Sequence, residues 1–224
     1  VITQRFCDGT AGIRREIILY EDEPRIDFIN TVYKNDALAW RKQDEEGFFV
    51  FPLRVPDFCL RHEMPVGDVR PYVEKSHVQP GEGTAEQFYT SSTDFYTANR
   101  WIDASSMAAG YGITLSALSA PIVQYGERPT LLYDLDYNTR KPWVYSYAIN
   151  NKWGTNFMET QPGILTFRYS LQSHDGGDWR DGRADRFGWG ISTPLAVSVI
   201  SHSQPGAGFK AEADQWIRIA GDSV

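Results

Sequence analysis

The densest run of groups able to bind ions or move protons is His174-Asp175-Gly176-Gly177-Asp178-Trp179-Arg180-Asp181-Gly182-Arg183. Its carboxylates suit a hard cation such as calcium, but their spacing misses the alternate-residue ligands and closing Glu of an EF-hand loop. The spacing favours a loop whose charges pair among themselves and face solvent or a partner, with His174, Asp178, Trp179 and Arg180 as its interface residues. A second run, Asn150-Asn151-Lys152-Trp153-Gly154-Thr155-Asn156, joins amides, a cation and an indole at the end of a strand-like segment. Amides match sugar hydroxyls as donors and as acceptors, and an aromatic face covers the apolar face of a pyranose. The same Asn and Gly residues also serve turn geometry. Asn150, Asn151, Trp153 and Asn156 are therefore candidate carbohydrate or cleft contacts, with Arg100, Trp101 and Asp103 behind them; for these three a structural Arg–Asp pairing is the alternative.

Glycoside cleavage needs two carboxylates flanking the scissile bond, one protonated and one ionised. The chain has 29 acidic residues, but spacing singles out no pair. The four histidines, His62, His77, His174 and His202, are scattered without HExxH or HxH spacing, so no metal site is assigned. No GxSxG elbow, phosphate-binding loop or dinucleotide fingerprint occurs, and no catalytic residue is assigned.

These groups need a scaffold, and period two supplies it. From Ile164 to Leu171, Leu165, Phe167, Tyr169 and Leu171 share one face against Ile164, Thr166, Arg168 and Ser170, the pattern of a half-buried strand. Similar stretches are Ile13 to Tyr20, Arg25 to Tyr33, Gly47 to Leu53, Tyr111 to Leu118, Leu131 to Tyr137, Trp143 to Ile149, Leu195 to Ser201 and Trp216 to Ala220, broken by turn residues such as Asp8-Gly9 and Pro205-Gly206. Helical periodicity is nearly absent, save a turn or two around Asp181 to Phe187. The chain reads as all-β, a large antiparallel β-sandwich formed as one domain over 1–224. Val66 to Thr97 is the longest stretch without a periodic run, which marks it for function or an interface.

Composition sets outer bounds. Hydrophobic residues make up 42% and aromatics 14%, enough for a sizeable core with aromatic surface left over. The net charge of −7 and the lack of a basic stripe speak against nucleic acid, and no apolar run is long enough for a membrane span. Cys7 and Cys59 have no metal-ligand spacing and read as thiols or one disulfide. The chain opens at Val1 in a segment that reads as strand, so it is expected to be a piece of a longer protein.

Taken in order, several short segments resemble the C-terminal β-domain of the family 38 α-mannosidases. They are Arg25-Ile26-Asp27-Phe28, Phe51-Pro52-Leu53, Glu63-Met64-Pro65-Val66-Gly67 with Arg70-Pro71, Arg100-Trp101-Ile102-Asp103, Tyr111-Gly112-Ile113-Thr114-Leu115, Asn150 to Asn156, and Phe167-Arg168-Tyr169-Ser170-Leu171 with His174. The resemblance implies a supersandwich, similar to galactose-mutarotase-like domains, forming the C-terminal portion of a larger retaining glycoside hydrolase. It implies that zinc, the nucleophile and the acid/base belong to an N-terminal catalytic domain missing from this chain, which needs no cofactor of its own. The partners implied are that catalytic domain and a glycan substrate, and the role is to support and partly enclose the active site. Two other functions suit an all-β carbohydrate protein: a stand-alone lectin-like binding module, and an aldose epimerase, for which His77, His174 and Glu63 are the available acid/base groups.

Overall fold

The computed structural model describes residues 11–34, 46–65, 67–71, 95–127, 141–150 and 161–194, with 2–7 and 11 described by their backbone alone. Twelve strands and one helix fall within them. The strands are β1 Ile2–Cys7, β2 Ala11–Leu19, β3 Arg25–Lys34, β4 Glu46–Pro52, β5 Cys59–Met64, β6 Gly67–Val69, β7 Tyr96–Thr97, β8 Ile102–Ser106, β9 Tyr111–Ser116, β10 Ile122–Tyr125, β11 Trp143–Asn150 and β12 Gly163–Asp175, followed by helix α1, Ala184–Ser192. All belong to a unit comprising Val1–Thr193; a second unit is Pro194–Val224, and the strands expected at Leu195 to Ser201 and Trp216 to Ala220, like that at Leu131 to Tyr137, lie outside the described residues.

Every pairing among the described strands is antiparallel. Eight strands run β1-β2-β3-β12-β9-β8-β5-β6 in one sheet and four run β4-β11-β10-β7 in the other. This is the antiparallel β-sandwich read from the period-two runs. β12 carries the alternation expected of it, with Phe167 and Tyr169 buried and Leu165 half-buried on one face, and Thr166 and Arg168 exposed on the other. Ser170 departs from the pattern: it is buried where β9 joins the edge of β12 opposite β3.

Aromatic side chains fill the space between the sheets because strands at this separation need large, flat groups to interlock. Phe49 of β4 meets Phe167 and Tyr169 of β12 at 5.5 and 5.6 Å between ring centres, and Phe51 meets Tyr169 at 4.9 Å and Phe28 of β3 at 5.7 Å. The Tyr169 hydroxyl cannot stay dry without a partner. It bonds Ser146 Oγ of β11 at 3.0 Å, and Ser146 Oγ donates to the Ala120 carbonyl, which ties the two sheets by a polar stitch. Burial raises the Tyr169 phenol to about 12, against the smaller downward pull of the Ser146 bond.

At the other end of the sandwich, β5 places His62 in the core. Its ring lies 5.5 Å from Tyr96 and 5.6 Å from Tyr125, is wholly buried, and neither nitrogen has a hydrogen-bond partner. Burial alone lowers its pKa to about 4, because an imidazolium there would lose its hydration with no anion in return. Cys59, three residues earlier on β5, is a free thiol; the side chain of Cys7 lies outside the described residues.

The part of the eight-stranded sheet around β8 is covered on both sides. All five residues of β8 are buried: Ile102 and Ala104 join the hydrophobic core, while Asp103 and Ser105 face the other way, under the segment that leads into α1. The helix is longer than the expected turn, and its glycines are the reason it fits. A Cβ on Gly188 would press against Arg100 and Trp101 at 3.0–3.1 Å, so the glycine lets the helix backbone lie directly on the segment entering β8.

His62 gives the fold an acid limit. Between pH 6.5 and 4 the unfolded chain takes up a proton at this residue and the folded chain does not, so stability is full above that window and falls as pH drops through it. The loss reaches about 3 kcal/mol by the linkage of pKa to stability. In urea unfolding at pH 7 and pH 4.5, His62→Leu should be destabilised by acid less than the wild type by an amount of that order; equal acid sensitivity in both would contradict the assignment.

Candidate functional site

Of the polar residues singled out in the sequence, Asp103 and His174 meet on the outer face of β8 and β9. The Asp103 carboxylate is the centre, at 1% exposure. Strand register sets Asp103 opposite Thr114 of β9, and Thr114 Oγ1 donates to Asp103 Oδ2 at 2.8 Å. Two residues along the same face, Ser105 Oγ donates to Oδ1. His174, near the end of β12, brings its Nε2 to 2.9 Å from Oδ2.

His174 also directs Nδ1 at the Asp175 backbone carbonyl, 3.1 Å away. A carboxylate and a carbonyl both accept, so a ring facing one with each nitrogen satisfies both only as the doubly protonated imidazolium. The pKa shift has the same sense. Burial lowers the pKa of His174, but the bond and charge of Asp103, with those of Asp175, outweigh it and the net shift is upward. Two glycines make room for the ring: a Cβ on Gly112 or on Gly182 would collide with imidazole atoms of His174. The side chain is 5% exposed, closed in by the loop it anchors.

That loop, 176–183, brings the aromatic groups into place. The Trp179 ring stacks on Trp101 at 4.7 Å and 26° between planes, and Trp101 is 3% exposed. Stacking of this kind contributes about 1 kcal/mol beyond the buried area. The Trp179 indole N–H is buried without an acceptor, a cost the stack and the packing must exceed. Arg180 lies over the Trp179 ring at 4.3 Å, and its guanidinium approaches Asp178 at 3.8 Å and Asp68 of β6 at 3.9 Å. On the helix side, Arg100 sits 3.6 Å above the Trp189 ring while its guanidinium and backbone N–H both bond Glu63 of β5. Trp189 keeps 51% of its surface open.

The geometry changes the reading of several residues. Arg100 and Asp103 do not pair with each other: Arg100, just before β8, bonds Glu63, and Asp103 bonds His174. Asp178 and Arg180 pair partly within their loop, as expected of it, whereas His174 is enclosed beneath the loop. Asn150 ends β11 in the other sheet, its backbone N–H donating to Gln161 Oε1 at 3.2 Å, so the sandwich core stands between it and Asp103. Asn151, Trp153, Asn156 and His77 lie outside the described residues. Thr114, Ser105, Gly112, Gly182 and Trp189 complete the cluster and were not singled out for a role in it beforehand. Trp189 offered a signal, an indole in a polar helix, but the glycines around it hid the helix itself.

Among the described residues no three His, Cys, Asp or Glu side chains gather as a metal-ligand set, and no described helix is long and apolar enough to cross a membrane. The less exposed carboxylates are matched internally: Asp103 to His174, Glu63 to Arg100, Asp68 to Arg61 at 2.8 Å, and Asp27 to Tyr20 at 2.6 Å.

No protein-family model matches the chain, and no curated protein matches it by sequence. Among solved structures it is similar to a protein from Escherichia coli K12 provisionally described as an aldose 1-epimerase, at 12% identity and a TM-score of 0.40. The match covers 77% of this chain and 64% of that one, so the chain spans less than two thirds of its neighbour's length. Fold likeness at this level transfers no activity.

Because the folded pKa of His174 is raised, its contribution is fully present below the ordinary value of about 6.5 and is lost as pH rises through the folded value. Wild-type stability should therefore decline as pH rises from the ordinary value of about 6.5 through the raised folded pKa, and His174→Gln should flatten the decline while lowering stability at pH 6 by about 3 kcal/mol, as when one partner of a buried ion pair is removed. Chemical denaturation across pH 6–9 measures both. A variant as stable as the wild type at pH 6 would show that the pair does not hold the loop.

Proposed function

We propose that this chain is the non-catalytic β-sandwich domain of an α-mannosidase-like retaining glycoside hydrolase, supporting and partly enclosing an active site carried by another domain of the same protein. The observation that carries the reading is the internal use of the acid and base groups. Asp103 and His174 form a buried ion pair, and Glu63 is held by Arg100 through two contacts, so the described groups suited to proton transfer point into the fold and not into an open cleft.

The resemblance to family 38 gains support from the same contacts. Glu63, Arg100 with Asp103, Thr114 and His174 come from four motifs of that resemblance; in the folded chain Glu63 bonds Arg100, and Thr114 and His174 both bond Asp103. Motifs tied together in this way have a structural reason to occur together, independent of any reaction. The zinc that the family uses would belong to the catalytic domain, together with the nucleophile and the acid/base. The half-open Trp189 with Arg100, and Arg180 over Trp179, would form the aromatic and cationic rim at which a partner domain or the end of a glycan is met.

An aldose epimerase on this scaffold would need an acid and a base converging on the ring oxygen and anomeric hydroxyl. His174 and Glu63, the described candidates, are each occupied by another side chain. The purified chain should give no hydrolysis of aryl α-mannosides above buffer, with or without added zinc, and the parent protein containing the upstream domain should restore it. Chelator-sensitive turnover by the chain alone would overturn the reading. Saturable mannose binding without turnover would favour the lectin-like module, and faster mutarotation of glucose would favour the epimerase.

A further inference from the structure

A separate concave site lies where the two sheets cease to overlap. Aromatic contacts seat β4 over β3 and β12, and seat β7 and β10 over β5, so β1 and β2 extend the larger sheet past the edge of the smaller one. The inner face of β2 is left with a niche of about 230 Å³ beside β4, walled by Phe28, Phe49, Phe51 and Leu171 and floored by Arg15 and Asn30.

The floor is polar in a specific way. Register sets Arg15 opposite Asn30, and Arg15 Nε donates to Asn30 Oδ1 at 2.9 Å; Asn30 is 1% exposed and cannot turn away. The amide thus holds the guanidinium by its inner nitrogen. Among the described residues no carboxylate pairs with Arg15. Arg25, Arg61 and Arg100 each have one. A half-buried, oriented guanidinium with no carboxylate partner among the described residues, set inside aromatic walls, is a favourable arrangement for an anion that brings apolar surface with it.

From this geometry we propose that the niche binds a small ring-borne carboxylate, a single uronic acid or an aromatic acid. One guanidinium offsets one negative charge, and among the described residues no second cation lines the niche to accept a dianion such as phosphate. The planar fork of Arg matches the planar carboxylate through its two outer nitrogens, while the three phenyl rings cover the body of the ligand. The volume, below the ~300 Å³ at which drug-sized sites begin, admits one ring and not a chain.

Ligand-detected NMR on the whole chain tests this with benzoate and glucuronate, their neutral counterparts benzyl alcohol and glucose, and inorganic phosphate. At least one of the two carboxylates should saturate at least tenfold more tightly than its neutral counterpart and than phosphate, and which one does so identifies the source. Arg15→Gln should erase that preference with its unfolding midpoint little changed, and Arg15→Lys, which keeps the charge but loses the fork, should weaken it several-fold. Neutral ligands binding equally well, phosphate binding as tightly, no carboxylate binding at tens of millimolar, or full preference retained in Arg15→Gln would each overturn the site. If Arg15→Gln fails to fold, the wild-type ranking of carboxylate, neutral ligand and phosphate still decides.

Discussion

A carboxylate cut off from water must have its charge and its lone pairs answered by the protein, and Asp103 is such a group. The answer comes from three strands: Ser105 of its own β8, Thr114 of β9, and His174 of β12. None of the three donors is replaceable in isolation, because losing one leaves part of a buried charge unmatched. The geometry also reaches beyond the sheet. Closing His174 over Asp103 demands glycine at 112 and 182, brings loop 176–183 down onto β8, stacks Trp179 on Trp101 and starts α1 where Gly188 can settle against Arg100. The outer cover of the sandwich follows from one ion pair.

Two histidines then set opposite limits on the fold. His62 is buried among tyrosine rings with no partner and resists protonation; His174 is buried between two acceptors and holds its proton. The same loss of hydration acts on both, and the difference is the anion. Acid therefore weakens the chain through the inter-sheet core and alkali through the outer cover, so the two regions respond to pH independently.

The sequence made the sandwich legible wherever one face meets the core and the other meets water. β12, β3 and β4 alternate for that reason and were readable. β8 was not, because both of its faces are covered and Ile102 to Ser106 show no alternation to detect. β5, β7 and β10 were missed as short strands, and α1 because Gly188 and Gly190 suppress its helical signal, Gly188 while serving its packing. The candidate cluster was visible in part. His174, Asp103, Arg100 and Trp179 stood out as chemistry-bearing types, but the meeting of Asp103 with His174 is a matter of strand register at a sequence separation of 71, which spacing along the chain does not encode.

On the proposed function, Asp103 and His174 form a structural latch and not a proton-transfer pair. Whether His174 is available for chemistry depends on its protonation and its access to solvent, and NMR of the imidazole nitrogens across pH reads both. The account predicts a His174 resonance that titrates above the ordinary histidine value of about 6.5, with an Nε2 proton protected from exchange by the bond to Asp103. A ring titrating at or below that value, with both nitrogens exchanging freely with water, would mark an open acid/base group and contradict it.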